Sequence, residues 1–253
     1  MRPGRTAAPS SDCNCSSSLV IPYSDERRPA VFAGAVWLLV AANVYVFYLE
    51  LTAVNPAKFI EFFALVPYNV THGIQLPYPS PHPYQLTMLT SMFLHGGYAH
   101  IFFNMLFLAV FGPRMERYLG HLGFVIVYLL CGVMGGVAQI WAAPYSHVPE
   151  IGASGAIAGI LGAYIVTYPT AKIDTVTPIG CFPLFLRLPA VAFIGIWAFL
   201  QFFLGFETFD PHANAGGVAY FAHIGGFSTG AILIGLYGLF GRRDRGGPPR
   251  SAR

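Results

Sequence analysis

Ser154 stands in Gly152-Ala153-Ser154-Gly155, a serine among small residues that follows a stretch broken by Pro144 and Pro149. This setting places it at or near a helix N-terminus, where free backbone N–H groups and the helix dipole favour negative charge. An oxyanion forming on an attacked carbonyl would be stabilised there. A serine hydroxyl is a weak nucleophile without a base. His223, in Ala222-His223-Ile224-Gly225-Gly226, is the imidazole that can act as one. His100 and Asn104 are spaced i and i+4, so on a helix they point the same way. Their N–H groups are donors suited to an oxyanion hole, together with the Ser154 backbone N–H. Taken singly, each has a plainer explanation: an N-cap serine, or a buried histidine bonded to a carbonyl.

The helices that would carry these groups make the combination more specific. Ser154, Ala158 and Leu161 share a helical face, with Gly155, Gly159 and Gly162 beside it. Ala219, His223, Gly226 and Gly230 define a second face. Small residues on both, Gly155, Gly159, Ala222 and Gly226 among them, allow the backbones to approach closely, as packed membrane helices do. Such a pair can bring the Ser154 hydroxyl within reach of a His223 ring nitrogen.

The composition requires a bilayer. Of the 253 residues 55% are hydrophobic and only 10% charged, against about 25% charged in soluble domains. Six apolar spans are expected, at about Val31–Leu51, Leu94–Phe111, Leu122–Ala142, Ser154–Tyr168, Ala190–Phe206 and Gly217–Phe240. The fold class is therefore all-α, a polytopic six-helix bundle. In this layout all of the 14 Lys and Arg except Lys58 fall on one side, which places both termini in the cytoplasm. Spans two, four and six then begin on the same, outer side, so His100, Asn104, Ser154 and His223 can meet. The outer segment 52–93 carries Phe59, Phe62, Phe63, Leu65 and Val66 and is expected to lie in the membrane interface. Asn69-Val70-Thr71 matches a glycosylation sequon, a pattern common by chance.

Other chemistries lack their residues. The net charge of +3 and the absence of a basic stripe argue against nucleic acid. Cys13, Cys15, Cys131 and Cys181 have no zinc spacing. His95 and His100 lack the i, i+4 spacing and intervening Glu of a zincin helix. No metal and no cofactor is expected. The first 30 residues hold no apolar core with a cleavage site, so no cleavable signal peptide is expected. A transporter using these residues as a polar pathway would call for further intramembrane carboxylates or an inverted repeat, and neither is seen.

Together the motifs resemble those of the rhomboid family of intramembrane serine proteases. His95-Gly-Gly-Tyr-Ala-His100-Ile-Phe-Phe-Asn104 is similar to the second-span motif H-x4-H-x3-N, and Gly112-Pro-Arg-Met-Glu116-Arg-Tyr-Leu-Gly120 to the turn G-x3-E-x3-G. The segments around Ser154 and His223 resemble the nucleophile and base motifs. The resemblance covers about residues 30–240, with 1–30 a polar tail and 241–253 a basic tail, both cytoplasmic. It implies a Ser154–His223 dyad without a carboxylate, and an oxyanion hole of the Ser154 N–H, His100 and Asn104. His95 would be an accessory loop residue, and Glu116 a hydrogen-bonding residue at the inner end of span two.

The implied reaction is hydrolysis of peptide bonds in or next to transmembrane segments of single-span or polytopic membrane-protein substrates. The alternative is a catalytically inactive rhomboid-like protein that binds membrane clients. Phe199, Phe202 and Phe203 are candidate gate residues or ordinary packing aromatics. Many members carry an aromatic four residues after the nucleophile to support the histidine; here that position is Ala158. Tyr220, Phe221 and Phe227 are the rings nearby in sequence, and the sequence does not choose among them. The compact core looks prokaryotic, which implies a bacterial inner membrane.

Overall fold

The computed structural model describes residues 20–26, 32–73, 83–179, 182–207, 209 and 218–241. In chain order these form β1 (Ile21–Asp25), α1 (Gly34–Thr52), α2 (Pro56–Phe63), α3 (Pro67–His72), α4 (Thr87–Thr90), α5 (Tyr98–Ala142), α6 (Ser154–Thr167), β2 (Lys172–Ile179), β3 (Phe182–Pro189), α7 (Ala190–Glu207) and α8 (Tyr220–Gly241), with two short 3-10 turns flanking α4. Cys13, Cys15 and Cys181 lie outside the described residues, as does the basic tail beyond 241.

Four of these helices, α1, α5, α7 and α8, are long and apolar enough to cross a membrane. Helix α1 shows why the bilayer is their solvent. Val36, Leu39, Asn43, Phe47 and Glu50 are buried at helical spacing and face the bundle. Yet the opposite face exposes Leu38, Val44, Tyr45, Tyr48 and Leu51, and water would not stabilise a helix that is apolar all round.

Helix α5 has 45 residues. A straight helix of that length would run ~68 Å, about twice the hydrocarbon thickness of a bilayer. It does not run straight. Gly120 adopts φ 76 and ψ 165, a left-handed break that favours glycine, and two helices join there. The segment Gly112–Leu119, read from sequence as a turn, is therefore helical, and the change of direction is confined to Gly120.

Helix α6 has 14 residues, and every residue from Gly155 to Tyr164 is buried. It is the central post of the fold. Glycines set how closely α5 and α8 approach it. A Cβ at Gly226 would fall on the Gly155 carbonyl, one at Gly230 on the Gly159 carbonyl, and one at Gly159 on the Cys131 side chain. A Cβ at Gly155 would lie 3.4 Å from the Ala222 carbonyl oxygen. Helices α6 and α8 thus meet backbone to backbone, and α5 sets a side chain against the α6 backbone, which any larger residue at these positions would prevent.

The fold is mostly helical but not all-α. Strands β1, β2 and β3 form one antiparallel sheet in that order. Sequence reading places residues 21–25 in a polar tail and 172–189 in a loop; the structure corrects both. Ile173, Thr175 and Thr177 alternate inward and are buried, the period-two pattern of a strand with one covered face. The sheet is fastened to the bundle by Asp25, which is buried. Arg114 Nη1 lies 2.9 Å from Asp25 Oδ1, and the Tyr164 hydroxyl donates to Asp25 Oδ2 at 2.7 Å. The Arg114 guanidinium also sits 4.0 Å from the Tyr168 ring centroid.

Between α1 and α5, the described residues form short helices. Asn55 caps α2 by accepting from the Lys58 N–H at 3.1 Å, and Pro56 pre-sets its first turn. Asn69 is buried, so the sequon there presents no accessible amide for a glycan.

Candidate active site

Helix α6 begins at Ser154. The approach to it is held by backbone bonds to the segment between α1 and α5. Leu65 and Glu150 exchange N–H···O bonds of 3.1 and 2.7 Å, and the Gly152 N–H donates to the Ser91 carbonyl at 2.9 Å. Gly152 has φ +119, which an L side chain rarely adopts. A Cβ there would also lie 2.7 Å from His100 Nε2 and 3.7 Å from Asn104 Nδ2. Glycine at 152 is thus needed twice: for the turn into α6, and to let two side chains of α5 stand against the turn two residues before Ser154.

Ser154 does not cap its own helix. The N-cap residue is Ala153, and it makes no side-chain cap bond. The Ser154 hydroxyl instead meets α8, with Oγ 2.8 Å from His223 Nε2. The other ring nitrogen, Nδ1, lies 2.7 Å from Oε1 of Gln201 on α7. An amide oxygen only accepts, so this contact suits the tautomer with hydrogen on Nδ1. Nε2 is then free to accept from the Ser154 hydroxyl, the direction a general base requires.

Trp197, one turn before Gln201, places its ring 5.8 Å from the His223 ring at 40°. Phe227 packs on Trp197 rather than serving as the ring against His223. Sequence reasoning sought this support near position 158 or along α8; it comes from α7. The signal was available, because Gln201 is a lone amide inside an apolar span, and such residues are costly unless paired.

Asn104 is buried, and its Nδ2 has no hydrogen-bond partner among the described residues. It is a desolvated donor beside the turn that leads to Ser154. His95 is fully buried as well, with its ring 5.1 Å from that of His100 and its backbone N–H donating to Glu50 Oε1 at 2.8 Å. Glu116 stands at a distance from this group. Its carboxylate accepts from the Ala35 and Val36 N–H groups at 2.9 and 2.8 Å, which caps α1, and it also bonds His121.

Two further residues border the site. Gln139 accepts from the Ala222 N–H at 3.3 Å and donates to Glu150 at 3.2 Å, so it ties the start of α8 to the segment before Ser154. Beside them is a cavity of about 40 Å³ lined by Ser91, Gln139, Glu150, Gly152 and Ser154. It is large enough for a water molecule and carries the polar partners that one needs. Among the described residues, no three His, Cys, Asp or Glu side chains gather as a metal site would need.

The family model of the Rhomboid domain matches residues 83–240. The chain belongs to the rhomboid family. It is 37% identical over 78 residues to the putative rhomboid protease YdcA of Bacillus subtilis, covering 31% of this chain and 39% of the relative. It is 34% identical over 158 residues to the rhomboid protease GluP of the same organism, 62% of this chain and 28% of the relative. It is 29% identical over 157 residues to the mitochondrial Rhomboid protein 1 of Saccharomyces cerevisiae, 60% of this chain and 42% of the relative. The rhomboid described here thus spans less than half the length of each of these relatives. Family membership and the apolar helices together make it an integral membrane protein.

Proposed function

We propose that this rhomboid is an intramembrane serine endopeptidase in which Ser154 is the nucleophile and His223 the general base and acid. The observation that carries the reading is the 2.8 Å contact between Ser154 Oγ and His223 Nε2 at the first turn of a buried helix. In the first step His223 Nε2 takes the hydroxyl proton while Oγ attacks the scissile carbonyl. The oxyanion is held by the Ser154 N–H with His100 and Asn104; the unpartnered Nδ2 of Asn104 supports that role. The tetrahedral intermediate collapses, and the leaving amine takes the proton from His223. Water then hydrolyses the acyl-enzyme, again through His223. The small cavity beside Ser154 supports a route for that water into a site below the membrane surface.

The substrates are membrane proteins cut in or next to their transmembrane segments. Phe199 and Phe203 on α7 are exposed and stack on each other, an apolar face where a substrate helix could enter. We read six crossings: α1, the two limbs of α5 on either side of Gly120, α6, α7 and α8. Each limb of α5 is ~33 Å long, about one hydrocarbon thickness. Both termini and the sheet are then cytoplasmic, in a bacterial inner membrane, with residues 31–240 as the protease domain. An activity-based label tests the chemistry: a fluorophosphonate should modify the wild type and spare Ser154→Ala. Equal labelling of the two would remove Ser154 as nucleophile.

A further inference from the structure

We infer that Gln201 is a positioning residue that fixes the tautomer of His223, taking the orienting role that a carboxylate plays in a three-membered triad. The inference rests on the reading of Ser154 and His223 as nucleophile and base.

A neutral imidazole has two tautomers, and only the one with hydrogen on Nδ1 leaves Nε2 able to accept from Ser154. Without a partner at Nδ1 both forms are populated, and the Nε2–H form cannot deprotonate the serine. Gln201 Oε1 lies 2.7 Å from Nδ1 and can only accept, so it selects the productive form. Trp197, i−4 to Gln201, stands against the same ring and limits its rotation. The two residues come from one face of α7, so a single helix fixes both the tautomer and the ring plane.

The neutrality of the partner matters. A carboxylate at this position would add charge to a span whose mean hydropathy is high, at a substantial cost in desolvation. An amide offers the same acceptor geometry without a charge. It orients His223 but gives less electrostatic support to the imidazolium formed during reaction than a carboxylate would. Position 158 is an alanine that supplies no ring, and α7 contributes both groups that meet the histidine.

The test uses the full chain in lipid nanodiscs with 15N-labelled imidazoles, the His223 signal being assigned by its loss in His223→Asn. At pH 8 the wild type should show His223 as one neutral tautomer, with Nδ1 protonated and Nε2 bare. Gln201→Leu, close in size but with no acceptor, should show a mixture and lower kcat about tenfold at unchanged KM, the scale of one hydrogen bond. A wild-type ring protonated at Nε2, or a Gln201→Leu protein with unaltered tautomer or unaltered kcat, would overturn the inference. A wild type with the Nδ1–H tautomer that cuts no substrate and resists fluorophosphonate would sink the protease reading alone, because the spectrum does not depend on turnover.

Discussion

Ser154 Oγ and His223 Nε2 are 2.8 Å apart because α6 and α8 touch at Gly155 and Gly226. A Cβ at Gly226 would fall on the Gly155 carbonyl, one residue after the serine and three after the histidine. The hydrogen bond between Ser154 and His223 thus depends on the absence of a methyl group on the neighbouring turn.

Gly226→Ala should push α8 away from α6. Overpacking of this kind costs about 1–3 kcal/mol, and the fluorophosphonate reaction rate should fall at least ~10-fold if the two groups lose contact. Unfolding in mixed micelles measures the first effect and labelling kinetics the second. Gly235→Ala is the control, since nothing lies within 4 Å of a Cβ there. A Gly226→Ala protein that matches it in both readouts would contradict the packing account.

Asn104→Ala removes a buried donor that has no partner among the described residues. No hydrogen bond from Nδ2 is lost, so the drop in kcat, ~10²-fold on the scale of one oxyanion donor, should exceed any loss of stability. KM should change little. The outcome against the assignment is an unaltered kcat, measured beside an intact unfolding midpoint.

Glu150 gives a pH dependence of stability. Burial pushes its carboxyl up to about 7, and the hydrogen bond from Gln139 opposes that shift. Its ordinary value is 4.5. Between these pH values the folded chain holds a proton that the unfolded chain has released. Its contribution to stability is therefore full below about 4.5 and is lost as pH rises through about 7. Glu150→Gln, neutral throughout, escapes that loss. The difference in unfolding midpoint, variant minus wild type, should grow between pH 5 and 7 and level off above. A difference that is constant with pH would show that Glu150 does not titrate in this range.

The motif residues were legible because each sits in a short local pattern: small residues around Ser154 and His223, and i, i+4 spacing for His100 and Asn104. The helices themselves followed from long apolar runs. What sequence did not reveal depends on contacts across the chain. Gln201 is 22 residues before His223, and no local pattern links them; only its polarity within an apolar span set it apart. Gln139 and Glu150 bordered the site unseen for the same reason. The sheet was missed for a different cause. Ile173, Thr175 and Thr177 alternate as a covered strand should, but β3 exposes apolar residues such as Phe182, Leu184 and Phe185, which blurs the period-two pattern. Pairing with β1 joins residues about 150 positions apart in the chain. Gly120 illustrates the opposite case: the helix break occurs at the last glycine of a recognisable motif, yet only φ and ψ show that the preceding residues stay helical.

Proteolysis in a bilayer tests the central claim most directly. The full chain is reconstituted in liposomes with a single-span substrate that has small, helix-weakening residues near one end of its span, alongside Ser154→Ala and His223→Ala. The wild type is predicted to cut within or next to that span, insensitive to chelators, and both variants to leave the substrate whole. Cleavage by either variant at the wild-type rate would contradict the Ser154–His223 account.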